Sequence, residues 1–202
     1  MRLRIMILLS VACLGLQLSA EDAAPASDGL ANTTVFEMFQ PGDALLTLSA
    51  GTSLGIGFLD ATGQFVPANL DPAVSIGLSL SIFLDNHWAL GGEFSGLFFT
   101  TIADRQYFCA PFAARLTYAF DLDPFAISPF VALGMAVNVL DDMRSLNPLV
   151  RVGSAFTWRF NTEVSYGLNL DCSLIPEIYA DPAYQSHALF LFGATLSATY
   201  HL

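Results

Sequence analysis

After Pro41 and Gly42 the sequence falls into a period-two alternation that returns in eight separate segments, and no other feature restricts the fold as tightly. In the first segment Ala44, Leu46, Leu48, Ala50, Leu54, Ile56 and Phe58 alternate with Thr47, Ser49, Gly51, Ser53, Gly55 and Gly57. Successive side chains of a strand point to opposite faces, so this run reads as a strand with one bulky apolar face and one small polar face. The pattern recurs through Val74 to Leu84, through Trp88, Leu90, Phe94 and Phe98, and through Phe108, Phe112, Leu116, Tyr118 and Phe120. It then shifts to odd positions at Ile127, Val131, Leu133, Met135, Val137 and Val139. Even positions return at Val150, Val152, Phe156, Trp158 and Phe160, at Tyr166, Leu168, Leu170 and Leu174, and at Phe190 through Leu202. Asp85-Asn86, Asp121 and Asn161 mark tight turns, and longer polar loops are expected at 60–71, 102–106, 141–147 and 176–187. The expected fold is all-β, an eight-stranded antiparallel up-and-down transmembrane barrel with short periplasmic turns and longer outer loops.

Alternation by itself is equally compatible with a water-soluble barrel, and the composition of the two faces decides between them. A face in water carries many charges. Here the polar face is mostly Gly, Ser, Ala and Thr, the small residues that fit the interior of an eight-stranded barrel. The bulky apolar face must then point outward, which only lipid makes favourable. Aromatic placement agrees, because amphipathic rings collect at the two interfaces of a membrane. Trp88, Tyr118, Phe120, Phe125, Trp158, Phe160, Tyr166 and Tyr200 fall near the tight turns, and Phe58, Phe98, Phe108 and Phe190 near the longer loops.

A helical crossing is excluded after the N-terminus. The most apolar stretch, residues 130–140, is interrupted by Gly134 and Asn138 and falls short of the roughly 18 residues that a spanning helix needs. Residues 1–20 read as a cleaved secretory signal, with Arg2 and Arg4 ahead of an apolar run and Ser19-Ala20 before the cut. Residues 21–42 are expected to be a periplasmic extension, with an apolar cluster at Val35, Phe36, Met38 and Phe39, and residues 43–202 to be the barrel. All seven basic residues are arginine, two of them in the signal, against eighteen acids. That balance disfavours nucleic acid as a partner. Cys109 has inward parity and Cys172 outward parity, so a disulfide between them would have to cross the wall, and two free thiols are expected.

Two segments carry a family resemblance, which extends over residues 43–202. Tyr200-His201-Leu202 closes a terminal strand similar to the insertion signal of outer-membrane barrels, with Leu202 where Phe is usual. Ser128-Pro129-Phe130-Val131-Ala132-Leu133-Gly134 is similar to the Pro-aromatic-Val-x-x-Gly strand of the OmpW and OmpX groups. The chain thus resembles the small eight-stranded barrels typified by OmpW, OmpX and the barrel of OmpA. The resemblance implies residence in a bacterial outer membrane as a monomer, with membrane lipid and the barrel-assembly machinery as partners. Resemblance to OmpW implies a narrow conduit or pocket for small apolar solutes. Resemblance to OmpX implies instead a structural or adhesive surface protein that meets a host ligand through its loops.

Candidate site residues follow from parity. Glu93, Arg115, Arg151, Arg159 and Asp171 point into the lumen, where charges must pair or carry a cost of several kcal/mol. Glu93 and Arg115 lie equally far from Asp104 and are expected to face each other, with Arg151 and Asp171 a diagonal pair. Leu97, Phe99, Tyr107, Pro111, Leu189 and Leu191 form a candidate apolar mouth above a floor that includes Ser81, Thr117, Thr199 and His201. Asp181, Ser186 and His187 share one outer loop and have the chemical types of an acyl-transfer site, but no motif fixes them and no enzymatic activity is expected. No cofactor or metal is expected, since His87 and His201 lie at the end opposite His187.

Overall fold

The computed structural model describes residues 39–60, 62–101, 104–140, 143–177 and 187–202. Residues 1–38, over which a signal peptide and most of a periplasmic extension are expected, lie outside the described residues. Among the described residues ten strands form one antiparallel sheet: β1 (Ala44–Asp60), β2 (Phe65–Pro67), β3 (Ala73–Phe83), β4 (Trp88–Thr100), β5 (Gln106–Tyr118), β6 (Phe120–Leu122), β7 (Phe125–Leu140), β8 (Met143–Arg159), β9 (Val164–Glu177) and β10 (His187–His201). The eight long strands follow one another in chain order around the wall, and pairing of β10 with β1, from Leu45 opposite His201 to Asp60 opposite His187, closes the barrel. Closure removes the unpaired sheet edges that would be untenable in lipid. The alternation holds along the long strands except at one bulge in β1. Leu48, Val74, Ile76, Leu133, Val152 and Leu196 stand on the outside, while Ala132, Ser173, Leu191 and Thr199 are buried.

The tight turns form for the reason their sequences suggest. Asp85 Oδ1 accepts from the Trp88 amide at 2.6 Å and from the His87 amide at 2.7 Å, and Asn161 Oδ1 accepts from Val164 and Glu163 in the same way. Those two amides hold the Asp85 carboxyl below its ordinary pKa. Rings gather beside these turns as expected: Tyr118 packs edge-on against both Trp88 and Phe120, and Phe160 against both Trp158 and Tyr166.

Three sequence expectations are corrected. The long loop expected at 141–147 is mostly strand, because β8 begins at Met143 and pairs it with Leu140. Ser145 and Asn147 point inward there, Asn147 donating to Ser145 at 2.9 Å, while Leu146 faces out, so the alternation continues through residues whose polarity suggested a loop. The outer connection at 60–71 holds the short β2, which pairs Val66 with Phe58. Phe58 itself does not belong to the outer aromatic ring. The register of β1 against β10 slips between Gly55 and Gly57, and this bulge turns Phe58 inward, against the buried apolar cluster and edge-on to His187.

The two cysteines among the described residues are free; Cys109 is fully buried inside and Cys172 is exposed on the outer face. A lipid-soluble maleimide should therefore label Cys172 in the folded protein and leave Cys109 unmodified until unfolding. Equal labelling of both in the folded state would contradict this placement.

Candidate functional site: a polar chamber closed at both ends

The inward residues sort into three levels along the barrel axis. At the outer end, Leu97 and Phe99 from β4, Tyr107 and Cys109 from β5, Leu149 from β8, Ile175 from β9, and Leu189 and Leu191 from β10 form one buried apolar cluster. Pro111 is fully buried as well. All six residues of the candidate mouth are thus buried, but they do not form a mouth. Leu191 is 2% exposed and Ile175 0%, so the side chains meet across the lumen and fill it. The physical reason is size, because an eight-stranded interior is just wide enough for side chains to fill. Leu149 and Ile175 were not singled out from the sequence although both have inward parity. Leu149 sits between the loop expected at 141–147 and the strand expected from Val150, and Ile175 just beyond Leu174, the last residue expected for its strand.

Below this plug lies a polar level. Glu93 accepts a hydrogen bond from Arg151 Nη1 at 2.8 Å and has Arg115 Nη1 at 3.5 Å. Arg151 Nε donates to Ser173 at 2.9 Å and lies 3.6 Å from Asp171 Oδ2. The Glu93–Arg115 contact is diagonal rather than direct, since Glu93 stands opposite Ala113 and Arg115 opposite Gly91. Arg151 and Asp171 are offset in the same manner, with Arg151 opposite Ser173 and Asp171 opposite Gly153. The shortest contact, Glu93 to Arg151, joins β4 to β8 across the lumen, and strand parity gives no hint of it. Arg115 also lies over the face of Phe130, 3.6 Å from its centroid. That ring occupies space left by Gly153, where a Cβ would come within 2.7 Å of it. Arg159 lies lower, opposite Ser165.

Two cavities of about 60 Å³ each remain among these groups. The upper is lined by the four charged side chains and the small inward residues of β1 and β3, the lower by Arg115, Thr117, Ser128, Thr199 and others. Ser95 Oγ faces the upper and Ser197 Oγ the lower, both buried with no protein partner among the described residues. Each cavity is large enough to hold water. The chamber suits hydration and not a larger solute.

The end at which β1 begins and β10 finishes is closed by a second apolar cluster of Phe39, Phe83, Ala89, Ala119 and Ala126. Phe39 stacks on Phe83 with centroids 4.3 Å apart and lies parallel to the His201 ring at 6.3 Å. By sequence it belongs to the expected extension. Nothing in its local pattern distinguished it from Val35 or Phe36. At the opposite rim His187 Nε2 meets Glu177 Oε2 at 3.0 Å, and Asn138 donates to Glu177 at 3.2 Å. His187 is therefore engaged by Glu177, and Asp181 and Ser186 lie outside the described residues. Tyr200 faces outward opposite Leu46 on the closing seam, and the Leu202 amide donates to Ala44 at 2.8 Å.

A protein-family model matches residues 22–200. A comparison with curated proteins gives no match. Among solved structures, Neisserial surface protein A is similar over 79% of this chain and 96% of its own, at 12% identity with a TM-score of 0.57. AlkL in lipid bilayers is matched over 91% of this chain and 97% of its own, at 13% identity and a TM-score of 0.47. Ail, the attachment invasion locus protein of Yersinia pestis, is matched over 81% of this chain and 100% of its own, at 10% identity and a TM-score of 0.45. At such identities the likeness to Neisserial surface protein A is one of fold, that of the small eight-stranded outer-membrane barrels.

Proposed function

Given that the chain belongs to the family, of uncharacterised function, whose model spans residues 22–200, we propose that it is an integral outer-membrane barrel that does not conduct through its lumen and works at its outer rim. The termini face the periplasm in this reading. Outer-membrane lipid surrounds the wall, and the barrel-assembly machinery recognises the terminal strand at Tyr200 and Leu202. The observation that carries the reading is the plug: side chains from β4, β5, β8, β9 and β10 fill the outer end, and the two cavities described beneath it are about 60 Å³ each. Four charges paired in the lumen act here as internal ballast that satisfies one another, and not as a selectivity element. A conduit for apolar solutes would require the plug to part.

What remains for such a role is the end of the barrel at which β1 is joined to β3, β4 to β5, β7 to β8 and β9 to β10. In sequence these connections and their flanks hold Asp60, Asp71, Asp104, Asp141, Asp142 and Asp181 against Arg105 and Arg144. An acidic rim of this kind favours a positively charged surface ligand through electrostatic complementarity. An enzymatic role gains no support from His187, whose placement against Glu177 and Phe58 is that of a structural strut.

Proteoliposomes provide the test. Vesicles carrying the folded protein are expected to take up neither a small hydrophilic solute nor an apolar probe faster than protein-free vesicles. Uptake by the wild-type protein would overturn the reading in favour of the conduit. Leu191→Ala is the suitable companion, because Leu191→Arg would bury an unpaired charge inside the plug and destabilise the barrel rather than block a passage.

A further inference from the structure

The two closures of the chamber differ in kind. The residues of the outer plug sit within paired strands of the wall, so the plug cannot leave without breaking the sheet. Among the described residues, Phe39 is the closing group that comes from outside the wall. It precedes β1, and the chain reverses beneath the barrel at Pro41 and Gly42, where Gly42 takes a φ of +95° that favours glycine. The hydrogen bonds of this turn run from the Gly42 amide to Phe83 O at 2.8 Å, from the Asp43 amide to Gln40 O at 3.0 Å, and from the Gln40 amide to Asp43 Oδ2 at 2.9 Å. They fix the reversal and leave the Phe39 ring to be held by packing. The recess it enters is shaped for one ring: Ala89, Ala119 and Ala126 point inward with little bulk, and Phe83 supplies a flat face. The docked ring is 5% exposed and lines the lower cavity.

We infer that Phe39 is a removable plug for the terminal end of the chamber: docked, it seals the lower cavity, and withdrawn about the Gly42 turn it opens that cavity to solvent while the barrel wall stays intact. The chamber is then accessible from one side only. This inference concerns the end opposite the rim and stands whether or not the rim binds a partner.

The test uses the full mature chain folded in detergent, with Cys109→Ser and Cys172→Ser and a reporter at Ser81→Cys, a position lining the lower cavity. The probe is a small cationic, water-soluble methanethiosulfonate. With Phe39 present the reporter should react far more slowly than in the unfolded chain. Phe39→Ala should raise the folded-state rate by at least about tenfold, the factor to which burial of one phenylalanine ring corresponds, and Phe39→Leu should fall between. Phe83→Ala, which removes the face that the ring stacks on, should give the same acceleration from the wall side. Both variants should still show the folded, heat-modifiable migration on unboiled gels. Unchanged rates in both, a reporter already reacting at the unfolded rate with Phe39 present, or loss of the folded band in Phe39→Ala would each overturn the inference.

Discussion

Glu93→Gln should destabilise the folded barrel more than the loss of either arginine beside it, by about 3 kcal/mol. Glu93 is the one carboxylate shared by Arg151 at 2.8 Å and Arg115 at 3.5 Å. Neutralising it leaves two guanidinium groups close together in a poorly solvated lumen, with Asp171 at ion-pair distance from Arg151. Arg115→Gln should cost less, about 1–2 kcal/mol, because the shorter Glu93–Arg151 pair survives and the chief losses are a longer ion pair and a cation–π contact over Phe130. Urea unfolding in detergent or vesicles would measure both. Double-mutant cycles should give a larger coupling for Glu93 with Arg151 than for Glu93 with Arg115. Additive effects in both cycles would show that the charges do not act as one network.

Leu133→Arg should cost about 2–4 kcal/mol and Leu84→Arg only about 0–1 kcal/mol, the difference expected between the midplane and the edge of a bilayer. The two leucines are equally exposed, each at 60%. Leu133 lies midway along β7, whereas Leu84 follows the last residue of β3 at the tight turn. In water, equal exposure would make the two substitutions equally mild, so the comparison isolates depth in the membrane from accessibility. Unfolding of both variants in lipid vesicles against the parent supplies the measurement. Equal small effects would mean that the apolar wall does not face hydrocarbon.

The period-two pattern determined the strands, their faces and the closure, because the direction of a side chain in a strand is a local property that the sequence carries residue by residue. The turns at Asp85 and Asn161 were equally legible, since each carboxylate or amide bonds amides two and three residues ahead. The opposite orientations of Cys109 and Cys172 followed from the same parity. Residues 143–147 and Phe58 were misread for local reasons too: polarity masked a continuing alternation in the first case, and a bulge reversed it in the second.

What lies across the lumen only the tertiary structure decided. Parity places Glu93 and Arg151 inside but cannot say that strands β4 and β8, not neighbours in the sheet, bring them within 2.8 Å. It marks Leu97, Leu149, Ile175 and Leu191 as inward but not as lying at one height, which depends on the stagger of the closed sheet. Whether six apolar side chains leave a mouth or fill it is a question of interior width, and the width of a barrel exists only once it has closed. Phe39 is the extreme case: its sequence neighbourhood describes an extension, and its place under the barrel comes from a recess assembled by β3, β4, β7 and the residue after β5.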